Sequence, residues 1–533
     1  MSGSAPPLDG DGQRSVQSEH GLVHDGLSEA LQRGTISGAT YALNRALTLF
    51  HPEAVERRFG QMAEPDPREA TLVLRDLVSK YGQLSPAERI TADVLLARPT
   101  DGASDPSLDG YTVTEAPPTC GTNACFHYVT STGDAPPPAD TNANGFPDWI
   151  DSTAAAFDVV WAKEVTQYGY RPPKEDIASA NHGPDGRIDV YLADVGADGL
   201  YGYCATDDPN AFDPNYPYFD VSAFCVVDND MSPSQFQGGA TGVPALQVTL
   251  AHEFFHAVQC AYDCFEDRWF SEGTATWMED EVFDGVNDNR QYLRSSQLNQ
   301  PFVPLDFSDL QDSYVYGAWI WFRFLSEYFG TSSIVREAWE YADGSSVGQD
   351  QYSLQAIASA IADRDSQFRW AYADFGVWND VPRSAYSEGG SYPVPPYLRR
   401  HRMTGARSVQ TGRLVMDHLT QSYVGFLPRS GVSPTAKLLV AVNLPAYRSG
   451  SEASVVTISS NGRATYIPIR LNQKGDGSVK VPFGKRKIDV VDLVITNAST
   501  RTTCWLDNAF TYSCAGEPKD DHLASLYGAR LLQ

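Results

Sequence analysis

His252-Glu253-Phe254-Phe255-His256 lies within VPALQVTLAHEFFHAVQCAYD, residues 243–263, whose length and apolar content predict one long helix. Side chains at i and i+4 share a helix face, so both imidazoles can reach a single zinc ion while Glu253 sits beside the ion's open position. Such a site dictates what folds around it. A third protein ligand must return to the same face from elsewhere in the chain, leaving the fourth position for water. The alternative is a pair of hydrogen-bonded core histidines with no ion.

The search for the third ligand narrows quickly. A metzincin pattern needs Gly three residues and His six residues beyond His256, but those positions hold Gln259 and Tyr262. Glu272, in Trp269-Phe270-Ser271-Glu272-Gly273-Thr274-Ala275, opens a second helical segment. Fifteen residues separate it from His256, enough for a loop that returns a helix to the metal. Glu266, Glu279, Asp280 and Glu281 compete with it, and their simpler reading is a solvated helix face. The two His and Glu272 are therefore the expected zinc ligands, with Glu253 as general base.

At 533 residues the chain has room for two to four domains. It is 42% hydrophobic and 11% aromatic with only 20% charged residues, which excludes a mainly disordered polymer. The net charge of -27 makes a nucleic-acid partner improbable, because few counterions would be released from a phosphate backbone. Eight cysteines fall as sequence neighbours, Cys120 with Cys125, Cys204 with Cys225, Cys260 with Cys264 and Cys504 with Cys514. Four local bridges are expected, and with them an oxidising, extracellular setting. A bridge from Cys260 to Cys264 requires the zinc helix to end near Ala261, because i, i+4 bridging within a regular helix is strained. The opening MSGSAPPLDGDGQRSVQSEHG has neither a basic n-region nor an apolar h-region, which fits export less well. No run of 18 apolar residues occurs, so no membrane span is expected. Oligomeric state is not legible.

The organisation expected is α+β. Residues 1–19 read as a flexible lead. Residues 20–100 carry helical periodicity, with Ser85 before Pro86 as a helix start, and form either a propeptide or a permanent support. No cysteine precedes Cys120, so a cysteine switch in that region is excluded. Residues 105–398 form the catalytic domain. Residues 410–515 read as short strands separated by turns, a β-sandwich, and 516–533 as a tail. Within the catalytic domain, Asp140, Asn142, Asn144, Phe146, Asp148 and Asp151 occupy positions 1, 3, 5, 7, 9 and 12 of a calcium loop, with Gly145 at position 6. Asp replaces the usual Glu at position 12, and the preceding PPPAD cannot be an entering helix, so this is half of an EF-hand. An Asx-rich turn without an ion is the alternative. Asp185, Asp189 and the run Asp228-Asn229-Asp230 read as strand-edge turns.

HExxH followed by a Glu on the next helix resembles the gluzincin metallopeptidases, and WFSEGTA resembles the W-x-x-E-G-x-A segment of the aminopeptidase and leukotriene-hydrolase family. That family's spacer is eighteen residues, and its exopeptidase signature G-x-M-E-N is absent from GGATGVPALQVTLAHE. Tyr314-Val315-Tyr316-Gly317 resembles its Y-x-K-G, which implies that Tyr314 stabilises the tetrahedral intermediate. The whole layout is similar to a group of secreted bacterial zinc metallopeptidases known chiefly from genome sequences. The resemblance implies zinc-dependent hydrolysis of protein or peptide substrates by a metal-activated water, endo- rather than exo-acting. Two rival readings stand beside it: a hydrolase of the same fold acting on a non-peptide bond, and a calcium-dependent extracellular binding protein with an inert zinc site.

Overall fold

Local signals set the first five helices, α1 (Gly26–Gln32), α2 (Gly38–Phe50), α3 (Pro52–Phe59), α4 (Ala70–Lys80) and α5 (Pro86–Leu95). Asp25 and Ser37 cap α1 and α2 by accepting from Ser28 and Thr40 amides. Ser85 and Glu88 form a reciprocal capping box at α5, with Pro86 at its first position. The computed structural model describes residues 25–60, 69–101, 110–236, 238–308, 313–506 and 511–532. The flexible lead expected over 1–19 lies outside them.

The region that holds the HExxH helix is built on a five-stranded sheet of β1 (Thr119–Cys120), β2 (Ala124–His127), β3 (Ile188–Ala193), β4 (Gly202–Ala205) and β5 (Phe224–Asp228), in the order β1-β2-β3-β5-β4. Strands β2, β3 and β5 are parallel, whereas β1 and β4 run antiparallel at the two edges. Every residue of β2 to β5 is buried, as expected for a sheet covered on both faces. One face takes α6 (Asp148–Trp161) and α8 (Gly242–Cys260), with the short α7 (Pro209–Phe212) between them in sequence. The other face takes the N-terminal helices, where Val73, Leu74 and Leu77 of α4 join a core with Tyr191, Tyr203 and Val226. Arg98, just past α5, is fully buried among Asp176, Asp189 and Asp207 at 2.8, 2.6 and 2.8 Å. Asp189 is thus no strand-edge turn: it lies within β3, and its second oxygen meets His127 Nε2 at 2.9 Å.

After α8 the chain continues through α9 (Arg268–Phe283), α10 (Tyr314–Gly317), α11 (Trp319–Phe329), α12 (Ser333–Tyr341), α13 (Ser353–Ala362), α14 (Phe368–Asp380) and α15 (Pro382–Ala385). Trp269, Trp277, Trp319, Trp321 and Trp339, all fully buried, fill the space among these helices.

Two further sheets follow. One has the order β11-β10-β13-β8-β6 and comprises β6 (Arg399–Met403), β8 (Thr420–Pro428), β10 (Ser451–Ser459), β11 (Ala464–Pro468) and β13 (Ile488–Asn497). The other, β12-β9-β16-β7, comprises β7 (Val409–Met416), β9 (Lys437–Asn443), β12 (Asp476–Pro482) and β16 (Leu523–Leu532). A two-residue pair, β14 (Thr502–Thr503) with β15 (Glu517–Pro518), stands apart. Val424, Phe426, Val455 and Leu493 from the first sheet share one core with Leu438, Val440, Tyr527 and Leu531 from the second, so the two pack as a sandwich. Its limits differ from the expected 410–515. The assumed tail contains β16, an interior strand paired with both β7 and β9, and its alternate residues Ser525, Tyr527, Ala529 and Leu531 point inward. At the other end, Arg399–Met403 escaped notice because only His401 and Met403 of this basic edge strand are buried.

All four expected disulfides are present, Cys120–Cys125, Cys204–Cys225, Cys260–Cys264 and Cys504–Cys514. Helix α8 ends at Cys260 with Ala261 as its cap, which frees Cys264 to reach back. Bridges of this number suit an oxidising compartment. Among the described residues, no helix is long and apolar enough to cross a membrane.

A buried charge joins the helical region to the sandwich. His418 meets Asp306 through Nε2 at 2.9 Å and Asp521 through Nδ1 at 2.7 Å. Burial disfavours its imidazolium, but the two carboxylates outweigh that and push it up to about 10. A raised folded value means the contribution is complete below the ordinary histidine range and is lost as pH rises towards 10. The melting temperature should therefore fall between pH 7 and 10. His418→Gln should cost roughly 3 to 5 kcal/mol at pH 7, as for other broken buried pairs, and should flatten that slope in calorimetric melts.

Candidate metal centre

Helix α8 is apolar on nearly all sides because it is enclosed by β4, β5, α6 and α9. His252, Glu253 and His256 are therefore buried, and each polar atom needs a partner. Glu272 comes from the first turns of α9. Gly273, next in sequence, is required by the close approach of α10 and α11, since a Cβ there would lie 2.8 Å from Phe322 and 3.1 Å from Ala318.

The three expected ligands meet. His252 Nε2 lies 3.0 Å from Glu272 Oε2, and His256 Nε2 lies 3.5 Å from the same oxygen. Each imidazole is fixed from behind. His252 Nδ1 bonds Glu279 Oε1 at 2.8 Å, and His256 Nδ1 bonds Gln259 Oε1 at 2.8 Å. Gln259 is itself held, donating to Ser271 O at 2.9 Å and Thr274 Oγ1 at 3.1 Å. With both Nδ1 atoms tied to acceptors, both Nε2 atoms face Glu272, His252 Nε2 within hydrogen-bond distance of it, and loss of the His252 proton would leave the two Nε2 lone pairs that a metal needs. His256 Nε2 and Glu272 Oε1 are buried and make no hydrogen bond within the protein. The residues present thus fit a cation of the zinc class.

Electrostatics agree with that arrangement. Burial by itself raises Glu272, yet His256 and His252 draw it down to about 2. Burial disfavours a charged His252, but its bonds to Glu272 and Glu279 hold it well above the usual range. Glu253 is raised, mainly by burial, and accepts a hydrogen bond from Thr71 Oγ1 at 3.2 Å. Burial lifts Glu279 to about 7.

Several expectations change here. Tyr314 does not reach the site: it is buried beside Phe307, its hydroxyl donates to Val303 O at 2.9 Å, and Gln297 Nε2 donates to it at 2.9 Å. Tyr316 is the tyrosine that packs on the centre, stacked on His252 with centroids 5.8 Å apart and backed by Tyr292 at 5.0 Å. The side chains read as a solvated face are not solvated. Glu266 accepts from the Asp267 and Ser353 amides, Asp280 pairs with Arg323, and Glu281 binds Arg323 and Tyr168. Sequence reasoning overlooked Gln259 and Glu279 as histidine partners, although Glu279 lies two turns beyond Glu272 on the same face. Thr71, 182 residues before Glu253, carries no sequence signal of its role.

The loop at 140–151 is curled about its first residue. Asp140 accepts the amides of Asn144 and Gly145 at 3.1 and 3.0 Å, while Asp151 accepts from the side chains of Asn142 and Asn144. Gly145 has φ +91°, the left-handed conformation expected at position 6. Asp148 opens α6 and accepts from Thr141 N, Asp151 lies in its first turn, and Phe146 N donates to Asn144 Oδ1.

Among the described residues, one other triad gathers potential ligand atoms within 4.8 Å, Asp280, Asp284 and Glu388. Arg323 and Arg290 already pair with two of its members. No protein-family model matches the chain, and no curated protein matches it. Among solved structures, a family GH115 4-O-methyl-α-glucuronidase with specificity for decorated arabinogalactans aligns at 9% identity, over 57% of this chain and 43% of that one. Its TM-score of 0.13 supports no inference about fold or function.

Partners behind metal-bound histidines typically contribute 10- to 100-fold in affinity. Glu279→Gln and Gln259→Leu should each weaken zinc binding by about that factor in chelator competition. Affinity should also fall on acidification, because the proton held on His252 must leave when a metal binds.

Proposed function

We propose that this chain is a zinc-dependent hydrolase of peptide bonds, an endopeptidase acting outside the cell. The observation that carries the reading is the meeting of His252 Nε2, His256 Nε2 and the Glu272 carboxylate, with both Nδ1 atoms tied and two buried atoms left without hydrogen bonds. Zinc held by these three would act as a Lewis acid and lower the pKa of a water at the fourth position towards about 7.

The protein groups then have distinct tasks. Glu253, next to His252 on α8, takes the proton from the attacking water and delivers it to the leaving amine. Burial raises its basicity, which suits a group that must both accept and return a proton near neutral pH. Glu279 and Gln259 hold the imidazoles in orientation. Tyr316 stacks on His252 and helps to hold its ring. The absence of an amino-terminus-gripping motif supports endo- over exo-cleavage, and the four disulfides support an extracellular site of action.

The loop at 140–151 is proposed to bind calcium through Asp140, Asn142, Asn144, the Phe146 carbonyl, Asp148 and Asp151. The support is its backbone wrap around Asp140 and the left-handed Gly145. Its role is to stabilise the start of α6.

Two tests follow from this reading. Glu253→Gln should retain one zinc and lose about 100- to 10,000-fold in kcat on denatured casein, whereas His256→Ala should lose both metal and turnover. The wild-type rate should fall with decreasing pH through a midpoint above the ordinary glutamate range, as Glu253 becomes protonated. Full activity of Glu253→Gln would sink the peptidase reading, and a zinc-replete protein that cleaves no polypeptide even in variants that uncover the centre would favour the binding-protein alternative. For the loop, EGTA should lower the melting temperature, calcium should restore it, and Asp140→Ala should abolish the difference.

A further inference from the structure

The side chains of the centre are tightly enclosed. His252, Glu253, His256 and Glu272 are only 7, 6, 4 and 0% exposed, and the void beside His256 measures about 30 Å³. Ligand clefts are typically roughly 300 to 1,000 Å³, so something occupies the space a substrate needs. That element is α4. Thr71 Oγ1 donates to the general base Glu253 at 3.2 Å and accepts from the amide of Cys204 at 2.9 Å. Cys204 lies on β4, the edge strand beside α8, and its bridge to Cys225 pins that strand to β5. Leu72 and Arg75 wall the small void on the side of His256 and Gln259. One turn on, Arg75 Nη1 donates at 3.2 Å to the hydroxyl of Ser271, the residue before Glu272, and Asp76 forms an ion pair with Arg268 at the start of α9.

One face of α4 therefore touches the base, an edge-strand amide and the helix that carries the third ligand. A substrate would have to make those contacts, and a catalytic water would need the side of Glu253 that Thr71 holds. Further along the same face α4 borders a larger cavity of about 500 Å³, walled by Arg75, Ser79 and Lys80 together with Asp263, Glu266 and Asp306. Arg75 lines both spaces, so withdrawal of this face would join them into one cleft.

We propose that α4 is a built-in inhibitor of the zinc cleft, with Thr71 as the stopper on Glu253, and that the enzyme is latent until this helix is displaced. The proposal rests on the zinc-peptidase reading for what is inhibited, but its contacts stand independently of that reading.

The test uses the zinc-loaded full chain, the triple variant Thr71→Ala/Arg75→Ala/Asp76→Asn, and the milder Asp76→Asn. Native-like melting serves as the fold check. Three quantities are measured: affinity for a short peptide hydroxamate, the rate of zinc transfer to 1,10-phenanthroline, and cleavage of denatured casein. The triple variant should bind the hydroxamate at least tenfold tighter, release zinc at least tenfold faster and cleave at least tenfold faster, with Asp76→Asn in between. A synthetic peptide spanning residues 69–81 should reverse the gain in cleavage. Unchanged or weaker hydroxamate binding together with unchanged zinc release in both folded variants would overturn the proposal. So would an unaltered chain that already cleaves as fast as they do. If hydroxamate binding and zinc release rise while no variant cleaves any polypeptide, α4 stands as the cover and the peptidase reading fails instead.

Discussion

Four titratable side chains, His252, His256, Glu272 and Glu279, are buried between two helices, and they must be satisfied by one another and by Gln259. That requirement organises the region around them. An isolated buried imidazole or carboxylate would cost several kcal/mol, whereas a closed network in which each Nδ1 has an acceptor is tolerable. The remaining imbalance falls on His256 Nε2 and Glu272 Oε1, which lack hydrogen bonds. A cation bound between them would relieve both at once. The surrounding tryptophans, Trp269 and Trp277 on α9 among them, exclude water, which keeps these interactions strong.

The meeting of His252, His256 and Glu272 was legible because these residues obey local rules. Spacing of four on a helix placed His252 and His256 together, and a Glu opening the next helix placed Glu272 opposite them. The supporting groups obey the same periodicity, but acidic residues on a helix usually face solvent, and that expectation concealed Glu279. The failure at Tyr314 has a different origin. The segment Tyr314-Val315-Tyr316-Gly317 forms a helix of only four residues, so nothing in its sequence fixes which tyrosine faces α8. Packing settles the matter, with Gln297 and Val303 taking the hydroxyl of Tyr314 and the ring of His252 taking Tyr316.

The sandwich was recognisable from alternating short strands, and its errors lie at the ends. Strand β16 begins 86 residues after its partner β9 begins and 114 after β7 begins, so periodicity rather than proximity had to reveal it. Its alternation, Ser525, Tyr527, Ala529 and Leu531 inward, is broken by small and polar members that weaken the apolar signal. The junction with the helical region was not legible at all, because Asp306, His418 and Asp521 come from three distant loops and become a charged cluster only after folding.

The N-terminal helices perform two jobs through two faces, and the energies of those faces differ. Val73, Leu74, Leu77 and Val78 of α4 are at most 3% exposed, and each contributes about 1.5 to 3 kcal/mol by covering the sheet. On the opposite face, the hydrogen bonds of Thr71 and Arg75 contribute about 0.5 to 1.5 kcal/mol each. Arg98, locked among three carboxylates, holds the far end of the region to the body. Wholesale departure would strip a sheet that is apolar on both faces and leave Asp176, Asp189 and Asp207 without their cation. Displacement confined to the cleft-facing side breaks the hydrogen bonds of Thr71 and Arg75 and the Asp76–Arg268 ion pair, and leaves the apolar face and Arg98 in place. A helix held firmly by one face and lightly by the other is suited to tilt rather than to leave, so the same residues can support the sheet permanently and cover the zinc ligands conditionally.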